Sequence, residues 1–275
     1  MKNLIKLTDL SADDIFDIFS LADDIRLGKH SGTLSGKCIV MFFPKSSIRT
    51  RLSFEKGIHL LGGQSVLFPP EALDKKEDIK DVCGYLCNWA DMIIVRHKDI
   101  NIIEKMAEYS SVPVINAMTD VNHPCEILSD MYALSKMRGN FAKDKFLFCG
   151  KRGNIGLAWK EASEVIGFEL AQCCAKGYEM EGVVSYNDIR TAAIGKDIIC
   201  TDSLPADALD DFKDCRVTSE IMKMANEGAV LNPCPPFYRG EEVSDEVIGS
   251  PYFVGYEFKK HLLYVQQVIM VYCLT

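Results

Sequence analysis

Three short stretches carry side chains able to bind and polarise an anion. The first is Ser46-Ser47-Ile48-Arg49-Thr50-Arg51-Leu52-Ser53-Phe54, which follows the apolar run Cys38-Ile39-Val40-Met41-Phe42-Phe43 and opens an amphipathic stretch. Two arginines and several hydroxyls therefore stand where a strand turns into a helix. The first turn of a helix has unpaired backbone N–H groups and a partial positive charge, so a phosphate dianion gains hydrogen bonds and electrostatic stabilisation there together. Hydroxyls and a planar guanidinium complete such a cradle. Taken alone, the segment also fits a helix cap by Ser46 and Ser47 followed by solvated arginines. The other two stretches, Arg96-His97 and His123-Pro124-Cys125-Glu126, also lie beyond apolar runs.

These residues need a scaffold, and the hydropathy pattern supplies one. Ser11 with Asp14 starts a first helix to about Gly28, with Ile15, Ile18, Phe19 and Ile25 on its apolar face. Strand-like runs follow at 37–43, 64–68, 91–95 and 112–116, with helical patterns between them at about 49–61, 77–89 and 100–109. A second series has strands near 145–149, 168–174, 197–201 and 228–231, helices near 155–166 and 218–226, and a last helix near 257–272. Residues 123–137 read as one helix bridging the two series. The expected fold is α/β, with two doubly wound parallel-sheet lobes joined by bridging helices. The first domain is expected over 1–130, with the C-terminal helix 257–275 packing back on it, and the second over 131–256.

Ligands of open parallel sheets bind beyond the carboxyl ends of the strands. The residues there are polar: Arg96-His97, the stretch 116–122 leading to His123, Asp202, and Asn232-Pro233-Cys234-Pro235-Pro236.

Composition narrows the partners. A chain of 275 residues with 48% hydrophobic and 25% charged residues exceeds the usual single core and fits two domains. A net charge of -8 argues against nucleic acid, because no basic face rises above the acidic background. Eleven cysteines sit mostly in apolar runs such as Leu147-Phe148-Cys149 and Ile198-Ile199-Cys200, which reads as reduced core cysteine in a cytosolic protein. None forms a CxxC pair, and Cys83 and Cys87 are at helical spacing, so no metal is expected. The start, Met1-Lys2-Asn3-Leu4-Ile5-Lys6, lacks an apolar signal core and no run has membrane-spanning length, so neither secretion nor membrane insertion is expected.

The motifs together resemble one family. Ser47-Ile48-Arg49-Thr50-Arg51 resembles the S-T-R-T-R carbamoyl-phosphate signature of the aspartate/ornithine carbamoyltransferases, and His123-Pro124-Cys125-Glu126 resembles their H-P-[CT]-Q. In matching order, Lys75-Lys76-Glu77-Asp78-Ile79-Lys80-Asp81 resembles K-x-E-[ST]-[IL]-x-D, Asp91-Met92-Ile93-Ile94-Val95-Arg96 resembles D-x-I-x-x-R, and Val112-Pro113-Val114-Ile115-Asn116 resembles V-P-V-x-N. Five ordered motifs are far more specific than any one.

The resemblance implies transfer of the carbamoyl group of carbamoyl phosphate to an amine, without a cofactor, by a cytoplasmic enzyme of arginine metabolism. It implies carbamoyl-phosphate contacts from Ser47, Ile48, Arg49, Thr50, Lys75, Arg96, His123 and Glu126, with Arg49, Arg96 and His123 catalytic. It also implies a homotrimer in which Lys75 reaches a neighbouring subunit's site. Thr201-Asp202 is similar to the T-D of the ornithine enzymes and Asn154 to the second asparagine of their G-D-x-x-N-N loop, so an ornithine-like acceptor is expected at Asn154, Asp202 and Cys234. Several positions depart from the pattern. Ile48 replaces threonine, Glu126 replaces glutamine, Ser203-Leu204-Pro205-Ala206-Asp207 replaces W-x-S-M-G, and Asn232-Pro233-Cys234-Pro235 replaces H-C-L-P. The arginine expected at the start of the last helix is missing, Leu262 falling near its place with Lys259, Lys260 and His261 close by. An ionised Glu126 beside phosphate needs either a raised pKa or a nearby cation. Two other readings are a carbamoyltransferase-like protein that binds without turnover and a dinucleotide enzyme, the latter suggested by Gly150, Gly153 and Gly156 after a strand.

Overall fold

The computed structural model describes residues 2–275. By internal contacts the chain divides into two compact units, one running to Lys136 and taking up Lys259–Thr275, the other Met137–Phe258. The division therefore falls later than the 130/131 boundary read from the sequence.

The first unit opens with helix α1 (Ala12–Arg26), whose start is a capping box: Ser11 Oγ accepts from Asp14 N at 3.1 Å and Asp14 accepts from Ser11 N at 3.0 Å. Strands β1 (Cys38–Phe42), β2 (Gln64–Phe68), β3 (Met92–Arg96) and β4 (Val114–Met118) alternate with α2 (Arg49–Leu60), α3 (Ile79–Leu86) and α4 (Ile100–Tyr109), and α5 (Pro124–Arg138) follows. They form a parallel sheet of order β2-β1-β3-β4. Its central strands are covered on both faces, which is why they read as continuous apolar runs. Ile93 and Val95 point into a cluster with Val40, Phe42, Ile79, Ile103 and Met106, each such side chain contributing roughly 1.5–3 kcal/mol on burial.

The second unit holds β5 (Lys145–Cys149), α6 (Asn154–Ile166), β6 (Glu169–Cys173), β7 (Val184–Tyr186), α7 (Ile189–Ala193), β8 (Ile198–Thr201), α8 (Ser219–Met222), β9 (Val230–Pro233) and α9 (Asp245–Ile248). Its parallel sheet has the order β7-β6-β5-β8-β9. Leu147, Ala171, Ile199 and Leu231 share one core cluster there. The chain closes with α10 (His261–Leu274), which belongs to the first unit and contacts α1 and α2. The parallel sheets with covering helices match the fold class expected from the sequence.

Some elements differ from the sequence reading. β4 and β9 begin two residues later than the runs at 112–116 and 228–231 suggest. The helix expected at 218–226 shortens to Ser219–Met222. The last helix begins only at His261, after a 3-10 turn over Tyr256–Lys260.

The glycines after β5 have a packing explanation. A Cβ on Gly156 would lie 2.7 Å from Phe148 Cε1, and one on Gly150 would lie 3.0 Å from Phe148 Cζ. These two glycines therefore let the turn and α6 close onto the Phe148 ring of β5, which removes the argument for a dinucleotide loop.

Candidate active site

In a sheet of order β2-β1-β3-β4, the chain leaves β1 and β3 in opposite directions and opens a crevice at their carboxyl ends. The first two sequence stretches meet there. Arg96, the last residue of β3, donates from Nη1 to Ser47 Oγ at 3.0 Å. Ser47 is buried, and it does not cap α2: the residue before the helix is Ile48, in helical conformation and without a side-chain cap bond. The capping explanation of the serines thus gives way to one in which Ser47 orients the Arg96 guanidinium. Thr50 is buried in the first turn of α2, while Arg49 is exposed there and Arg51 pairs along the helix with Glu55 at 2.9 Å. Ile48 is 68% exposed, so this position presents an apolar side chain to solvent in place of a hydroxyl.

His123 is delivered by a buried polar turn after β4. Thr119 Oγ1 donates to Asn122 Oδ1 at 2.9 Å, Asn116 Nδ2 donates to the same oxygen at 2.7 Å, and Asn122 Nδ2 reaches Ile5 O at 3.1 Å. Burial lowers the His123 pKa to about 4, helped by the positive charges of Arg96 and Lys259 and opposed by Glu126. The imidazole is therefore neutral near pH 7 and can donate one N–H to a developing oxyanion.

Glu126, on the first turn of α5, is buried, and burial alone would push its carboxyl up. Lys259 foremost, with Arg49, outweighs that and holds it below the usual carboxylate range. The Lys259 ammonium lies 2.7 Å from Glu126 Oε1 and 2.6 Å from Asp130 Oδ1. Of the two ways to accommodate a glutamate there, the protein uses a cation. Sequence reading named Lys259 only as one of three substitutes for a missing arginine and overlooked Asp130. The signal that could have found the pair is two carboxylates four residues apart in the otherwise uncharged stretch 124–134, which demands a counter-charge if buried.

Lys75 is exposed, and the structure does not bring it to the other residues. Its loop is tethered nonetheless. His97 Nε2 lies 3.0 Å from Asp74 Oδ1, and its Nδ1 lies 3.1 Å from Asp99 N.

In the second unit the chain reverses between β5 and β8, and the expected acceptor residues follow those strands and β9. Asn154 begins α6, its Oδ1 accepting from Ile155 N at 2.9 Å, and Asp202 accepts from Ser203 N at 2.9 Å. Cys234 is buried and its N–H donates to Thr201 O at 2.9 Å, which joins the loops after β8 and β9. Sequence reading missed Glu242, buried in the next loop, whose Oε1 accepts from Tyr238 N at 2.7 Å. Burial first, then the charges of Glu241 and Asp202, raise its pKa to about 7. All eleven cysteines are free thiols, and no cluster of three or more potential metal ligands occurs among the described residues. No helix among them is long and apolar enough to cross a membrane.

Comparison with known proteins finds matches to both parts of the chain. Residues 2–136 match the carbamoyl-P binding domain of the aspartate/ornithine carbamoyltransferases, and residues 143–273 match their Asp/Orn binding domain. The ornithine carbamoyltransferase of Methylococcus capsulatus is 33% identical, the match covering 100% of this chain and 99% of the relative. That of Methanobrevibacter smithii is 31% identical with 98% of each covered. The crystal structure of ornithine carbamoyltransferase from Burkholderia thailandensis superposes with a TM-score of 0.92 at 29% identity, covering 100% of this chain and 99% of that one. The chain belongs to the aspartate/ornithine carbamoyltransferase family.

Proposed function

We propose that the protein transfers the carbamoyl group of carbamoyl phosphate to the amine of ornithine or a related amino acid or amine, releasing phosphate. The observation that carries this reading is the Arg96–Ser47 bond, which fixes a guanidinium at the end of β3 beside the first turn of α2. Ser47, Thr50, Arg49 and the backbone N–H groups of that turn, including that of Ile48, hold the phosphate. Arg96 and neutral His123 donate to the carbonyl oxygen, and Glu126 accepts from the carbamoyl NH2. The amine nitrogen attacks the carbonyl carbon, the carbon–oxygen bond to phosphate breaks, and the amine proton leaves with the phosphate. No covalent enzyme intermediate is needed, so catalysis is positioning plus oxyanion stabilisation.

Asn154, Asp202 and Cys234 are the proposed acceptor contacts, with the Asp202 carboxylate suited to an ammonium group. The enzyme is proposed to act in the cytoplasm, in arginine metabolism, and as a homotrimer with Lys75 completing a neighbour's site.

The test is phosphate release from carbamoyl phosphate with ornithine, putrescine, N-acylated ornithines and aspartate as acceptors, run with the parent and with R49A. At least one amine should be carbamoylated, and R49A should lose at least a hundredfold in kcat/KM, about 3 kcal/mol of transition-state stabilisation. Silence across the panel, or an R49A variant within a few fold of the parent, would overturn the assignment.

A further inference from the structure

Glu126 and Asp130 lie one helical turn apart on α5 and are both buried. Two buried carboxylates this close cannot both stay ionised without a cation. The cation comes from far along the chain: Lys259, in the 3-10 turn before α10, sits 2.7 Å from one and 2.6 Å from the other. Four further groups surround this pair in the first unit. His123 and Arg49 act on Glu126, Arg96 acts on His123, and the neighbouring Cys125 thiol is kept protonated by its burial.

A purely structural ion pair needs no relation to the anion cradle. This one has such a relation, because Glu126 is the proposed acceptor for the carbamoyl NH2 and Arg49 of the cradle is among the charges acting on it. Resting on the proposed carbamoyl-phosphate reading, we propose that Lys259 is a positioning residue of the donor pocket. It keeps Glu126 as an anionic acceptor for the carbamoyl NH2 while cancelling the charge that would repel the phosphate. Glu126 and Lys259 then act as a matched pair in a place where a neutral amide would need no partner.

Removing Lys259 exposes the coupling as a pH effect. Without the ammonium, burial dominates and pushes the Glu126 carboxyl up from its ordinary value. The pocket then accepts the phosphate at low pH, where Glu126 is neutral, and repels it at high pH, where the carboxylate is uncompensated.

The experiment measures the Kd of carbamoyl phosphate by calorimetry from pH 6 to pH 8.5 on the full chain, with K259M, K259R, E126Q and the double variant E126Q/K259M. The parent, K259R and E126Q should be flat across this range. K259M should bind at least tenfold more weakly at pH 8.5 than at pH 6, and E126Q/K259M should be flat again. D130N/K259M, which removes the second unpaired carboxylate, serves if K259M does not fold and should show the same slope. A K259M or D130N/K259M profile parallel to the parent, or a slope that survives in E126Q/K259M, overturns the inference. Absence of carbamoyl-phosphate binding by the parent at every pH overturns the proposed donor itself, a result distinct from a flat K259M profile.

Discussion

At the scale of single residues, the first unit balances its charges and the second leaves one unbalanced. Glu126 and Asp130 share Lys259, whereas Glu242 has one oxygen bonded to the Tyr238 N–H and none bonded at the other among the described residues. Its folded pKa of about 7 lies above the ordinary 4.5. The folded state therefore holds a proton that the unfolded chain has lost between those values, and stability falls as pH rises through that window. Above about pH 7 the ionised carboxylate costs up to about 3 kcal/mol, taking 1.36 kcal/mol per pKa unit. E242Q keeps the acceptor for Tyr238 and removes the charge. It should stabilise the protein by about 1–3 kcal/mol at pH 8 and by little at pH 5, measured by urea unfolding at both. An equal effect at the two pH values would show that Glu242 is not titrating there.

At the scale of elements, packing and topology decide what the sequence discloses. The central strands were legible because both faces are buried, so Met92–Arg96 and Lys145–Cys149 read as near-continuous apolar runs. β7 escaped notice because Val184–Tyr186 is a short edge strand with largely exposed side chains. The donor half of the candidate site was legible for a related reason: its residues sit in compact motifs at strand ends. The Lys259 pairing was not, since 133 residues separate it from Glu126 and no local pattern encodes that contact. Glycine makes the same point, because only the neighbours say whether a side chain fits. A Cβ on Gly156 of α6 would lie 2.7 Å from Phe148, whereas one on Gly84 of α3 would meet nothing within 4 Å. G156A should thus cost about 1–3 kcal/mol by overpacking. G84A should gain roughly 0.5–1 kcal/mol from helix propensity. Thermal unfolding of both variants checks the opposite signs, and a destabilised G84A together with a neutral G156A would contradict the packing account.

At the scale of the whole molecule, the first unit exposes several large apolar side chains. β2 is an edge strand of the sheet, and Val66 and Phe68 on it are exposed. Leu52 on α2, Tyr85 on α3 and Trp89 just beyond it are exposed too, Trp89 at 71%. An open edge strand and exposed large apolar side chains invite association with another chain. The loop bearing Lys75 is anchored at Asp74 by His97, yet Lys75 itself projects into solvent. Both features fit an assembly in which each subunit lends a lysine to its neighbour. Sedimentation should therefore give a particle of three times the 30.8 kDa chain. Shared sites make a sharper prediction. K75A and R49A subunits, each inactive alone, should recover activity when dissociated and mixed, because some sites in the hybrid trimers draw an intact lysine from one chain and an intact arginine from the other. A monomer in sedimentation, or a trimer whose mixed variants stay inactive, would confine each site to one subunit and leave Lys75 as an ordinary solvated residue.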